Sequence, residues 1–155
     1  MSEGGTTRRE AGRLHQALEL AYGGIFWVIA MLGLPPPFVV ILETRGRRSG
    51  KRRRTILITA NLRGDRYLVS VLGEASNWVR NVRAAGGHVA IRHGRRREAS
   101  LEEVPTDQRA PILKAYLKWA LGARPIFGVT HSAPVEEFEG ITARHPVFRI
   151  VTSRP

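Results

Sequence analysis

The sequence predicts a small α+β barrel, an antiparallel sheet of five or six strands with helices inserted between them and flanking them. Three observations carry this prediction. The chain has 155 residues, room for one core and no second catalytic module. Its apolar share of 43% is too high for a disordered chain. From residue 38 onward, short β-branched runs alternate with glycine-bearing turns, the pattern of successive hairpins.

Residues 1–12 are polar and glycine-rich, and read as a flexible tail. Residues 13–37 read as an apolar helix closed by Pro35-Pro36-Pro37. Their densest apolar run, Ile25 to Leu32, falls short of the ~20 residues a spanning helix needs. No small-residue cleavage site follows it, and Glu10 and Glu19 precede it, so a secretory signal does not fit. The chain is therefore expected in the cytoplasm, with residues 14–34 able to touch a membrane surface or to cover an apolar pocket.

Residues 38–155 read as the single domain. Phe38 to Leu42 is a buried strand, and Gly46 to Gly50 is a turn. Thr55 to Thr59 and Tyr67 to Leu72 are two further strands about a hairpin turn at Gly64. Ser76 can cap a helix that carries Trp78, Val79 and Val82 on one face and stops at Gly86-Gly87. His88 to Arg92 and Arg97 to Val104 form a hairpin about Gly94. Thr106 or Asp107 can cap a helix from Gln108 to Leu121, with Pro111 tolerated in its first turn. A loop follows, then a short helix near Val135 to Phe138, and Pro146 to Val151 is the last strand.

Composition removes several chemistries. Cysteine is absent, which excludes thiol catalysis, disulfides and Cys-ligated metals. The only aspartates are Asp65 and Asp107, which argues against a carboxylate cage for magnesium or calcium. The five histidines show no His-x-His or His-x-x-x-His spacing, so no metal site is expected.

The formal charge is +12, from 25 Lys plus Arg against 13 Asp plus Glu. Position matters more than the sum. Seven of the ten residues from Arg45 to Arg54 are basic, and four more lie between Arg92 and Arg97. The first cluster surrounds Gly46-Arg47-Arg48-Ser49-Gly50-Lys51. This is not a phosphate-binding P-loop, since only three residues separate the glycines and Arg52 follows the lysine. Nor is it a nucleophile elbow, because Ser49 stands in Gly-x-x-Ser-Gly. A turn of Gly, Ser and Arg nevertheless aims backbone donors and guanidinium forks at one point. Like charges so close repel one another unless an anion relieves them. The turn is therefore expected to bind a phosphate or clustered carboxylates.

The stretch Leu42-Glu43-Thr44-Arg45-Gly46-Arg47-Arg48-Ser49-Gly50-Lys51-Arg52-Arg53 resembles the signature of the deazaflavin-dependent nitroreductase and quinone reductase family. So do the Tyr-led strand from Tyr67, the following Gly73, the Trp78 to Asn81 segment and the ending Arg144-His145-Pro146-Val147-Phe148. The resemblance implies a split antiparallel β-barrel, α+β in class, that binds coenzyme F-420, a deazaflavin with a phosphate and an oligoglutamate tail. FMN is the lesser alternative. By matched position, Arg47, Arg48 and Arg53 would hold the phosphate and tail, with Ser49 and Lys51 in support. Val71, Leu72 and Gly73 would border the ring, and Trp78 and Asn81 would shape its pocket. The activity implied is hydride transfer from reduced F-420 to an electron-poor quinone, nitroaromatic or enone. No catalytic side chain or metal is assigned. The turn departs from the family pattern at Arg48 and Arg52, where Lys and Pro are usual. The tyrosines that nitroreducing members place near the C-terminus are missing between Ala123 and Arg144.

Two other function classes stay open on the residues alone. One is a non-catalytic carrier of F-420, flavin or haem. The other is a basic barrel that binds anions or nucleic acid. The aromatic share of 7% and strands without exposed aromatic interleaving argue against specific nucleic-acid binding. The partners expected are a small apolar electron acceptor, a second copy of the chain and the membrane surface met by residues 14–34.

Overall fold

The computed structural model describes residues 37–152. The expectations for residues 1–12 and 13–36, including the membrane-touching helix, lie outside the described residues. Among those described, no helix is long and apolar enough to cross a membrane.

Six strands form a closed antiparallel barrel in the order β1-β2-β3-β6-β5-β4. They are β1 Val39–Arg45, β2 Arg52–Leu62, β3 Asp65–Val69, β4 His88–His93, β5 Arg95–Glu103 and β6 Val147–Thr152. Pairing of Ile41 with Arg92 and of Glu43 with Ala90 joins β1 to β4 and closes the ring. Among the described residues, four helices lie between strands: α1 Asn77–Ala84 between β3 and β4, and α2 Ala110–Leu117, α3 Arg124–Phe127 and α4 Val135–Glu139 between β5 and β6.

Strand alternation sorts the apolar residues into two cores. Val40, Leu42, Leu68, Val89, Ile91, Ala99, Leu101 and Phe148 pack inside the barrel with Trp78, Val79 and Val82 of α1. Residues of opposite parity, Ala60, Val69 and Val147, face outward under Ile112, Leu113, Tyr116 and Leu117 of α2 and Phe138 of α4. Leu42, Leu68 and Leu113 are fully buried, each worth about 1.5–3 kcal/mol relative to exposure. The inner core holds α1 against the strands, and α1 carries one wall of the site below.

The observed elements differ from the expected ones in several places. β1 runs on to Arg45 because Glu43, Thr44 and Arg45 pair with Arg54, Arg53 and Arg52. β3 stops at Val69, so Val71, Leu72 and Gly73 belong to a turn and not to a strand end. There the Ser70 amide donates to the Pro146 carbonyl at 2.9 Å, and the Ser70 hydroxyl donates to the Gly73 carbonyl at 2.8 Å. Ser76 does sit at the N-terminus of α1, but its side chain makes no capping bond. Its hydroxyl lies 2.8 Å from that of Ser70 instead.

α2 is shorter than expected and is not capped by Thr106 or Asp107, which belong to a separate 3-10 turn. The residue before it is Arg109, whose buried guanidinium donates to the carbonyls of Val104 at 2.8 Å and Thr142 at 3.0 Å. α3 occupies what reads as loop in the sequence, and ends at Gly128 in the left-handed conformation that glycine adopts without strain.

Candidate anion and cofactor cleft

The turn between β1 and β2 is closed by its own backbone. The Gly46 amide donates to the Lys51 carbonyl and the Gly50 amide to the Gly46 carbonyl, both at 2.8 Å. Gly50 takes a φ of +67°, a conformation that favours glycine. The Lys51 amide donates to the Ser49 hydroxyl at 3.3 Å. Ser49 and Lys51 thus shape the turn from within.

Asn81 on α1 fastens this turn to the barrel. Its side-chain oxygen accepts from the Arg47 amide at 3.3 Å and from Arg47 Nη1 at 3.0 Å. Its amide nitrogen lies 3.5 Å from Thr44 Oγ1 on β1. Asn81 and Thr44 are both buried, where unmade hydrogen bonds are costly. α1 is held in turn by Arg83, which pairs with Glu74 and, at 2.5 Å, with Glu103 of β5.

Between turn and helix lies a cleft of about 490 Å³, lined by Gly46, Arg47, Arg48, Ser49, Arg53, Arg54, Thr55, Asn77, Trp78 and Asn81. Four arginines and no acid face it. Trp78 is itself buried, its ring edge-on to Phe148 at 5.6 Å, so it braces the cleft floor from the core side. Arg48 and Arg53 form no ion pair among the described residues. Of the residues expected at the site, six meet here: Arg47, Arg48, Ser49, Arg53, Trp78 and Asn81. Lys51, Val71, Leu72 and Gly73 do not line the cleft.

The last three form the turn between β3 and α1. Leu72 is 48% exposed, while Gly73 is buried with φ +78°. A Cβ on Gly73 would come within 2.8 Å of the Arg144 carbonyl, so this turn tolerates no side chain there. His145 supports the turn from below: its Nδ1–H donates to the Ser70 carbonyl at 3.1 Å and its ring lies 4.5 Å from that of Phe127. Burial pushes its pKa below the ordinary 6.5, because the charged ring loses its water.

Sequence reasoning assigned no individual site role to Gly46, Arg54, Thr55 and Asn77, which also line the cleft, nor to Glu43. Glu43 is buried on the outer face of β1. Its carboxylate lies 2.9 Å from Arg96, 3.4 Å from Arg54 and 3.7 Å from Arg92. The Arg96 hydrogen bond, aided by the charges of Arg52 and Arg54, outweighs burial and holds its pKa below the usual carboxylate value. Counting back from the Gly46 to Gly50 turn pairs Glu43 with Arg54, so that contact was legible. Pairing with β4 was not, since it joins residues some fifty positions apart.

A second cleft, about 590 Å³, lies elsewhere, lined among others by Arg63, Asp65, Tyr67, Glu102, Glu103, Ile112 and Arg149. Three acids meet two arginines in this lining: Arg149 pairs with Glu102 at 2.6 Å and approaches Asp65 at 3.9 Å. Among the described residues, no cluster of His, Asp and Glu could hold a metal ion.

A family model described as F-420H(2)-dependent quinone reductase matches residues 12–121 of the chain. Solved structures of similar fold include a protein described as a domain-swapped dimer, 18% identical, with 75% of this chain and 81% of that one covered and a TM-score of 0.53. The haem storage protein of Vibrio cholerae is 10% identical, covers 76% and 83%, and scores 0.53. An F-420-H2 dependent reductase is 24% identical, covers 76% and 96%, and scores 0.49. A comparison with curated proteins found no match.

Proposed function

Because the chain belongs to the F-420H(2)-dependent quinone reductase family, and is by that membership a reductase that depends on F-420, we propose that it holds the cofactor's phosphate and acidic tail in the cleft between the β1–β2 turn and α1. The hydride then passes to an electron-poor acceptor of the quinone, nitroaromatic or enone class. The observation that carries this reading is the lining itself: four arginines, no carboxylate, and three of the four, Arg47, Arg48 and Arg53, without an ion pair among the described residues.

The donor set suits the group. A guanidinium meets a carboxylate or phosphate with two parallel N–H bonds, and each charge-assisted bond contributes about 1.5–3 kcal/mol. Arg48 and Arg53 supply these forks. Arg47, already spent on Asn81, orients the turn and adds charge, and Ser49 and Lys51 keep its shape. F-420 in its reduced form supplies the hydride, so the chain's own part is binding, orientation and exclusion of water. Trp78 and Asn81 fix the wall of the cleft. The turn of Val71, Leu72 and Gly73, kept free of a side chain at Gly73 and braced by His145, offers an apolar edge at Leu72 for the ring and the acceptor. Protons come from solvent in this scheme. A second copy of the chain would be the protein partner, and cytoplasmic placement with membrane contact through residues 14–34 would bring the reductase to apolar acceptors.

The test is a titration with F-420 and, separately, FMN at moderate salt, followed by tryptophan fluorescence, and then turnover of reduced F-420 with a soluble quinone. F-420 is expected to bind more tightly than ~100 μM, ahead of FMN, and to be oxidised on adding quinone. Failure of both ligands to bind in that range removes the reading. Binding of F-420 without oxidation by any acceptor class would make the chain a carrier.

A further inference from the structure

The sequence carries two basic clusters, and the fold brings them to one acid. Glu43 of β1 lies beneath Arg54 of β2, Arg92 of β4 and Arg96 of β5, at 3.4, 3.7 and 2.9 Å. Arg96 also pairs with Glu98 at 2.6 Å. Arg54 is the one member of this group that also lines the cleft. Its side chain is 61% exposed, free to turn toward a ligand if nothing held it. One wall of the cleft is therefore an arginine whose Nε lies 3.4 Å from a buried carboxylate oxygen, an ion pair without a hydrogen bond, while Arg48 and Arg53 beside it have no ion pair among the described residues.

We propose that Glu43 is a specificity-determining positioning residue: by holding Arg54 on the barrel's outer face, it limits the guanidinium groups offered to the acidic ligand and so sets how many negative charges the cleft rewards. The inference rests on the cofactor reading of the cleft and deepens it. Within the Arg92 to Arg97 cluster, Glu43 and Glu98 supply counterions to Arg92 and Arg96.

The decisive variant is Glu43→Gln, which keeps the shape and removes the charge. F-420 affinity should rise about threefold or more, its salt dependence should steepen, and FMN, with one phosphate and no tail, should gain less. A general rise in positive potential would do part of this, so the second substitution matters. Arg54→Gln in the Glu43→Gln background should reverse the gain, while Arg92→Gln, away from the cleft, should not. An unchanged affinity and salt slope in Glu43→Gln, or equal reversal by Arg92→Gln, overturns the proposal. Should Glu43→Gln fail to fold, Arg54→Gln in the native background is read against Arg48→Gln; it should weaken F-420 binding less, and an equal loss overturns the proposal. Arg48→Gln with Arg53→Gln tests the underlying reading separately. If that pair leaves F-420 binding intact, the cleft is not the cofactor site, whatever Glu43 does.

Discussion

Two clefts among the described residues are similar in size, about 490 and 590 Å³, and both are lined by arginines. They differ in their counterions. In the larger, Asp65 and Glu102 meet Arg149, and acids outnumber arginines in the lining. In the smaller, Arg48 and Arg53 have no such acid among the described residues, and Glu43 meets Arg54 on the outer face. A net charge of +12 therefore says little about where an anion binds. The placement of thirteen acids among the basic residues decides it.

That contrast can be broken most heavily from below, through the cores on which the clefts rest. Trp78→Ala removes a buried ring packed on Phe148 and should cost ~3–5 kcal/mol in urea unfolding, with F-420 affinity lost as well. Ile112→Ala, under the second cleft, should cost ~2–5 kcal/mol and leave the affinity of the folded fraction unchanged. A loss of F-420 binding from Ile112→Ala would mean that the wrong cleft has been assigned.

Charge removal comes next. Arg48→Gln with Arg53→Gln should weaken F-420 by about a hundredfold, two charge-assisted contacts discounted for solvent. Arg63→Gln with Arg149→Gln, in the paired cleft, should change it less than about twofold. Calorimetric titration of both double variants reads this directly.

Asn81→Ala should have a smaller effect, about tenfold on F-420 affinity and ~1–2 kcal/mol on stability, since it strands the Arg47 amide and loosens the turn without removing a charge. If affinity and stability fell in strict proportion across several α1 variants, Asn81 would be a general support and not a positioner of the turn.

The smallest effect concerns pH at the neighbouring β3–α1 turn. His145 has a folded pKa below its ordinary 6.5, so the folded chain resists a proton that the unfolded chain accepts. Its contribution to stability is full above that ordinary value and is lost as pH falls below it. The melting temperature should drop between about pH 7.5 and about pH 5.5, and His145→Gln should flatten that slope. An unchanged slope would place the titration elsewhere.

Much of this was legible beforehand. The hairpins about Gly46 to Gly50, Gly64 and Gly94 follow from turn chemistry and strand alternation, which act between neighbours. The anion character of the β1–β2 turn follows from its Gly, Ser and Arg content. The end of β3 was not legible, because the Ser70 amide and carbonyl are claimed by Pro146 and His145, about 75 positions away. Nor was the spare role of Ser76, whose hydroxyl is taken by Ser70 instead of the helix end.

By itself, then, the sequence determined the barrel's hairpins, the sites of its turns and the basic loop of the cofactor cleft. These rest on local backbone preference and on charges adjacent along the chain. Only the tertiary structure decided which arginines keep their charge for a ligand. That depends on strand register: closing β1 against β4 sets Glu43 beside Arg96, fifty-three positions away, and a carboxylate neutralises the guanidinium groups that the fold places within its reach.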